Sequence, residues 1–363
     1  MRAGLVIYGG LEFPSGGFLY DRMLVETLRQ AGDEVDVISL PWQSYGRCVG
    51  HNFDPVLRER LRRWSGDVML QDELVHPSLF FLNRTIRPAI GAPIVSIVHH
   101  LRSFEHRGLF SHGIARLAER AYLRSVDGFI FNGEATRRAV HELRGAPGPG
   151  IVASPGGDRL CGAMTDAEVI ARAADAPPLR VLFVGNIIER KGLVTLLEAL
   201  SASPPGAWQL TVVGSRSVDP AHARHVDRFV KERGLQERVL MKDHLDDGQL
   251  AGAFRAHHVL AVPSSYEGYG IVYLEAMGFG VVPIGTTSGG AAEVIENREN
   301  GFLVSPGDRK ALAALILRLG ADRDLLGSCA RSALRRFHRA PGWKPRMTEV
   351  REWLLAFVNQ GRH

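Results

Sequence analysis

Glu267 and Glu275 stand in VPSSYEGYGIVYLEAMGFGVV with seven residues between them. At helical rise, eight steps span roughly 12 Å, enough to bracket a nucleoside diphosphate between a sugar and a ribose. A carboxylate that accepts from two vicinal hydroxyls can read either ring. Helical side chains lean toward the N-terminus, which aims Glu275 back at the phosphate region. The adjacent cations Arg190 and Lys191, in NIIERKG, suit a pyrophosphate whose charge must be balanced as it leaves. In the first half, the apolar run Ile94–Val98 ends in His99 and His100. A histidine there could ligate a metal, act as a general base or position a ligand. A metal site would need further ligands, and the neighbouring sequence offers no obvious set. Val68–Leu70 runs into Asp72, Glu73 and His76, a polar cluster at a strand end and a candidate acceptor site.

Each of these groups needs a strand, a turn and a helix to hold it. Val259–Val262 reads as a buried strand closed by Pro263, and the turn Ser264–Gly270 has the freedom of two glycines. From Ile271 the pattern becomes helical, with Ile271, Leu274 and Met277 on one face and Gly278 and Gly280 as the stop. The amides of Tyr269, Gly270 and Ile271 then lie at a helix N-terminus, where an anion is favoured. Arg180–Gly185 is a strand, Asn186–Gly192 its turn and LVTLLEAL the helix. Gln209–Val213 is a strand ending in the turn at Gly214, and Met241–Leu245 follows the strand Val239–Met241. Asp246, Asp247 and His244 read as solvent-facing. The first half repeats the pattern: strand Leu5–Tyr8, glycines to Gly16 and Gly17, helix Phe18–Gln30, strand Glu34–Leu40. Gly16 and Gly17 would let amides approach a phosphate closely, with Tyr20 and Asp21 turned to the same cleft. The spacing GxGxxG of dinucleotide enzymes is absent. Phe53–Trp64 reads as a helix carrying Arg58, Arg60, Arg62 and Arg63, either a solvated face or a contact for anionic lipid. Pro345–Val358 reads as a final helix.

Length and composition fit two ordinary domains: 363 residues, 45% hydrophobic and 23% charged. No apolar run approaches the ~20 residues of a membrane span, and MRAGLVIYGG enters a strand without a signal-peptide layout. Cys48, Cys161 and Cys329 have neither metal nor redox spacing, which suits reduced thiols in the cytoplasm. The net charge of +5 is compatible with anionic sugar nucleotides or a membrane surface. No nucleic-acid module accompanies it. The Ala-rich stretch Arg159–Pro178 reads as a linker, dividing a first domain 1–175 from a second, 176–342.

The string EGYGIVYLEAMGFGVVPIGTTSGGAAEVI, followed by NGFLVSPGD, resembles the C-terminal signature of the retaining family 4 glycosyltransferases, with its Glu-x7-Glu pair. The resemblance implies the α/β GT-B fold, two Rossmann-like domains facing each other across a cleft, with 343–363 returning to the first. It implies transfer of a sugar from a UDP- or GDP-sugar to an acceptor hydroxyl. Attack would come from the front face, assisted by the leaving phosphate, without metal or resident cofactor. His99 falls on the histidine that touches the donor sugar, and His100 stands where many relatives carry Asp, on the acceptor side. Gly16 and Gly17 match a loop that faces the donor phosphate. Asn186 occupies the place of a usual Arg, leaving Arg190 beside Lys191 as its substitute, and Asn132 replaces the Ser of a "SEAT"-type turn. PGGD at 155–158 matches the family's PNGVD imperfectly. Rival readings are a sugar-nucleotide epimerase on the same scaffold and a non-catalytic sugar-nucleotide or membrane-surface binding protein.

Overall fold

The computed structural model describes residues 1–104 and 109–360. The chain forms two compact units, Met1–Pro155 with Trp343–His363, and Gly156–Gly342. The last three residues of the expected 343–363 segment lie outside the described residues.

The N-terminal unit is built on a six-stranded parallel sheet. Its strands are β1 (Arg2–Tyr8), β2 (Glu34–Leu40), β3 (Val68–Asp72), β4 (Ile94–Val98), β5 (Gly128–Phe131) and β6 (Gly150–Val152), in the order β2-β1-β3-β4-β5-β6. β3, β4 and β5 are buried along their whole length, as strands covered on both faces must be, and their apolar content follows from that. The C-terminal unit repeats the design with β7 (Leu179–Val184), β8 (Trp208–Val213), β9 (Val239–Lys242), β10 (Val259–Ala261), β11 (Val282–Thr286) and β12 (Phe302–Val304), in the order β12-β11-β10-β7-β8-β9. Each sheet therefore reverses direction once, between β1 and β3 in the first and between β7 and β10 in the second. In open parallel sheets the crevice beyond the strand C-termini at such a reversal is where ligands bind. The residues around Gly17, Asp72, Lys191 and Glu267 lie at or beyond the ends of these four strands, and His99 beyond the neighbouring β4.

The helices begin where the sequence signals them. Ser15 caps the helix Gly16–Gln30 by accepting from Phe18 N, two residues earlier than expected. Asp54 caps Pro55–Arg63, so the expected Phe53–Trp64 helix is shorter and Phe53 closes a preceding 3-10 turn. The final helix, Trp343–Gln360, packs in the N-terminal unit against Gly16–Gln30. Arg351 anchors it to Asp33 at 2.6 Å, and Asp33 also holds the N-terminal amine at 2.9 Å.

The stretch expected as a linker is structured. A capping box of Thr165 and Glu168 starts the helix Asp166–Ala173. Its Arg172 is buried and donates to Gly280 O at 2.6 Å and Phe254 O at 3.2 Å. The division between units therefore falls at Pro155–Gly156, twenty residues before the expected 175–176. Alanine content suggested a spacer, but the cap and one buried arginine dock the segment on the second sheet.

Candidate active site

In the C-terminal unit the chain leaves β7 through Gly185 and Asn186 and makes a 3-10 turn, Glu189–Lys191. It leaves β10 through Pro263 and Ser264. The two turns meet across the reversal. Lys191 Nζ lies 2.7 Å from Glu267 Oε2, and Ser264 Oγ donates to the same oxygen at 3.0 Å. The Arg190 guanidinium donates to Tyr266 O at 2.8 Å, and Arg190 O accepts from Ser265 N at 2.8 Å. The Glu267 backbone is pinned on its other side, its carbonyl accepting from Gly290 N at 2.8 Å. Gly289 must be glycine here: its φ is +85°, and a Cβ would lie 2.0 Å from Glu267 O. Glu267 is thus a buried carboxylate with its backbone held on both sides.

Charge balance dominates this site. Burial alone would raise the Glu267 carboxyl, but Lys191 and Arg190 outweigh it and hold it at about 2. The same burial pushes the Lys191 amine below its ordinary value, with Glu267 opposing. Asn186 is half-buried beside this pair, and its carbonyl accepts from Ile188 N. Gly214, after β8, brings its backbone against Gly185; a Cβ there would lie 1.9 Å from Gly185 O. Gly270 caps the helix Ile271–Met277 with φ of 91°, and Tyr269 is buried while Ile271 is half-buried.

Glu275, on that helix, is buried and gripped by Arg159, whose Nε and Nη2 both lie 2.9 Å from Oε1. Asp247, largely exposed, pairs with the same guanidinium. Burial raises the Glu275 carboxyl above its usual range, with Arg159 opposing. Arg159 escaped the sequence reading because it lies in the Ala-rich stretch taken as a linker. Its only local signal is its place directly after the turn Pro155–Asp158.

In the N-terminal unit, His99 and its neighbours close on one another beyond the first reversal. His99 Nε2 lies 3.1 Å from Asp21 Oδ1, the ring meets Tyr20 edge-on, and a Cβ on Gly17 would be 2.9 Å from its Cδ2. Asn132 Nδ2 donates to His99 O at 2.8 Å, which gives this departure from the Ser-type turn a task. Gly16 and Gly17 form the first turn of the helix Gly16–Gln30, so Gly17 is where the helix and the imidazole come closest. Tyr20 and Asp21 are fully buried, and the Tyr20 hydroxyl donates to Ala153 O at 2.9 Å. They do not face a cleft; helical spacing turns them inward, toward the sheet and the final helix.

Asp72, Glu73 and His76 are buried too. Asp72 Oδ1 accepts from Leu74 N at 2.9 Å. His76 Nδ1 is 2.9 Å from Glu73 Oε1, and its Nε2 is 3.2 Å from the Tyr45 hydroxyl, over whose ring Arg102 stacks. Glu119, unremarked in the sequence, accepts from Arg102 N at 2.7 Å and Ser103 N at 3.1 Å. His100 is half-buried and follows directly. Asp21, Asp72 and His99 have one ligand atom each within 4.8 Å of the others, as do Glu73, His76 and Glu119. In the first group His99 Nε2 is hydrogen-bonded to Asp21 Oδ1; in the second His76 Nδ1 is hydrogen-bonded to the Glu73 carbonyl oxygen at 3.1 Å, with Glu73 Oε1 close by. Both read as hydrogen-bonded networks.

Residues 166–336 match the sequence profile of the family described as Glycosyl transferases group 1. A D-inositol 3-phosphate glycosyltransferase of Xylanimonas cellulosilytica is 34% identical over 179 residues, which is 48% of this chain and 41% of that relative's length. A phosphatidyl-myo-inositol mannosyltransferase of Mycobacterium leprae is 28% identical over 372 residues, 93% of each chain. Among solved structures, a sucrose-phosphate synthase from Thermosynechococcus elongatus superposes with a TM-score of 0.81 at 21% identity, covering 99% of this chain and 100% of that one. Among the described residues, no helix is long and apolar enough to cross a membrane. With this profile over residues 166–336 of its second unit and two parallel six-stranded sheets of the GT-B type, the chain is similar to the group 1 glycosyltransferases.

Proposed function

We propose that this protein transfers a hexosyl group from a nucleoside-diphosphate sugar, UDP- or GDP-linked, to an acceptor hydroxyl with retention at the anomeric carbon. The observation that carries the reading is the buried Lys191–Glu267 pair, with Arg190 beside it, at the strand-order reversal of the second sheet. Lys191 and Arg190 take the diphosphate, Glu267 the donor sugar and Glu275 the ribose. Asn186, Gly214 and the amides of Tyr269, Gly270 and Ile271 complete the donor side, with Gly16 and Gly17 on the phosphate. His99 takes the donor sugar from the first unit; Asp72, Glu73, His76 and His100 serve the acceptor.

The bond from the anomeric carbon to the leaving phosphate oxygen breaks with its electron pair going to the phosphate. The acceptor oxygen bonds to the same face and its proton passes to that phosphate. No protein carboxylate acts as nucleophile and no metal is needed. Lys191 and Arg190 stabilise the charge that develops on the departing diphosphate, a contribution on the order of several kcal/mol in a site that excludes water. Both are held in place, Lys191 on Glu267 and Arg190 on Tyr266 O, which supports this role.

The relatives, an inositol phosphate glycosyltransferase and a phosphatidyl-inositol mannosyltransferase, favour a small polyol or lipid-linked acceptor. Exposed Arg58, Arg60, Arg62 and Arg63, with Arg116, Arg120 and Arg124, support peripheral contact with an anionic inner membrane face from the cytoplasm. A thermal-shift panel of nucleoside diphosphates and their sugars, with and without magnesium, tests the donor side. A ligand at 100 times its Kd adds about 2.7 kcal/mol, a shift of several degrees. One nucleotide standing out independently of magnesium supports the reading, and a flat panel contradicts it. Product mass then separates transfer from epimerisation, which leaves the sugar nucleotide's mass unchanged.

A further inference from the structure

The deepest polar feature of the N-terminal unit is the contact of Asp21 and Asp72 beneath His99. The two aspartates are fully buried and come from different elements, the helix Gly16–Gln30 and the end of β3. Asp21 uses Oδ1 on His99 Nε2, and Asp72 uses Oδ1 on Leu74 N. That leaves Asp21 Oδ2 and Asp72 Oδ2, each buried and each without a donor among the described residues. The two carboxylates lie close, with one oxygen of each within 4.8 Å of the other, and bare oxygens in a dry interior are costly, since burial and like charge both oppose a charged pair. One proton on Asp72, facing Asp21, satisfies both at once.

We propose that Asp72 holds this proton for Asp21, and that Asp21 is thereby the positioning residue of His99, fixing its Nε2 as a hydrogen-bond donor and leaving the Nδ1 edge for the ligand. The inference rests on the proposed placing of His99 at the donor sugar. Asp21 orients the ring as the buried acid of a catalytic triad orients its imidazole, and it never touches substrate. Gly17 and Tyr20 wall the ring so that it keeps this orientation.

The charges agree with the geometry. Burial would strip the proton from His99, but the Asp21 carboxylate outweighs it, with Asp72 and Glu73 adding to the rise, and holds the ring above the ordinary histidine value. Burial, reinforced by Asp21, pushes Asp72 up to about 7. The groups that face His99 are Asp21 and Tyr20 on the helix and Asp72 and Glu73 at the end of β3. His100 is its chain neighbour, and Arg346 of the final helix lies near enough to act on Tyr20. Relaxing Asp72 to its charged form near neutral pH strengthens the hold on the imidazolium, so His99 and Asp72 must titrate together.

Histidine side-chain NMR of the whole protein tests this without any donor, with H99Q assigning the signal. Wild type should show His99 titrating above pH 6.5, with a second inflection near 7 that reports Asp72. D72N, whose amide donates to Asp21 as the carboxylic acid does, should lose that inflection and keep the ring's N–H pattern. D21N should drop the midpoint by one pH unit or more. In sugar transfer, D21N should lower kcat about tenfold with little change in donor KM. Should D21N not fold, the D72N titration decides by itself. An unmoved midpoint in D21N, an inflection that survives D72N, or a His99 signal shifted by micromolar zinc or manganese would each overturn the proposal. If no sugar nucleotide supports transfer but the titrations behave as stated, the transferase reading fails and the coupling of Asp72, Asp21 and His99 stands.

Discussion

Both units bury carboxylates at the reversal of a parallel sheet, yet they neutralise them in opposite ways. In the C-terminal unit each buried acid has its own cation: Lys191 for Glu267 and Arg159 for Glu275. In the N-terminal unit acids lie against acids or histidines: Asp21 with Asp72 and His99, and Glu73 with His76 and Glu119. Burial, reinforced by Glu73, pushes Glu119 up to about 7, as burial with Asp21 does for Asp72. His76 is pushed down to about 4 by burial, so it is neutral at physiological pH. A site balanced by fixed cations keeps one charge state across physiological pH. A site balanced by protons changes state near neutrality. The first suits a group that must always meet a diphosphate, and the second suits groups that orient or relay.

The comparison breaks most visibly if one fixed charge is removed. Lys191→Ala leaves Glu267 buried without its main counter-charge and takes a cation from the diphosphate. Glu267→Gln leaves Lys191 in the same position. Each should lower turnover at least ~100-fold while circular dichroism and melting show a folded chain. Near-normal turnover in both variants would remove the Lys191–Glu267 pair from the chemistry.

Arg159→Ala tests the second cation pair with a smaller effect. Without Arg159, burial drives Glu275 further toward its neutral form, and a neutral carboxyl reads vicinal hydroxyls poorly. Donor KM should rise about tenfold with kcat little changed, the loss of a charge-assisted contact. The defect should deepen as pH falls, because Glu275 takes up its proton sooner. A KM that is unchanged between pH 6 and 8 would place the ribose elsewhere.

How much of this was legible in the sequence follows from which contacts are local. Strands β2 and β4 appear with their expected ends, because an alternating run in one and an apolar run in the other, each bounded by turns, leave little choice. Glu267 and Lys191 were identifiable separately, each in a Gly-rich turn after a strand. Their pairing was not, since they are 76 residues apart and meet only through the β7–β10 reversal. Asp21 was visible only as a neighbour of Gly16 and Gly17 and was expected toward a cleft, whereas it is fully buried against His99. Arg159 lies in the stretch taken as a linker, and Glu119 on a helix where nothing in the sequence singled it out. Nothing short of the tertiary fold shows what either holds.

The smallest effect separates the two modes of neutralisation thermodynamically. Asp72 has its carboxyl raised from the usual aspartate range to about 7, so the folded chain binds a proton that the unfolded chain has released. Its favourable contribution is complete below about pH 4 and is lost as pH climbs through 7. Glu267, held at about 2, behaves in the reverse sense: its contribution is present above 4.5 and disappears only as pH falls toward 2. Asp72→Asn makes the neutral form permanent and keeps both an acceptor for Leu74 N and a donor for Asp21. Between pH 5 and pH 8 the variant should gain on wild type by on the order of 2 kcal/mol, a few degrees in Tm. Differential scanning calorimetry at the two pH values measures this directly. A variant less stable than wild type at pH 8 would mean that the Asp72 charge is wanted in the fold, and the contrast between proton and cation would reduce to one between two ion-pair networks.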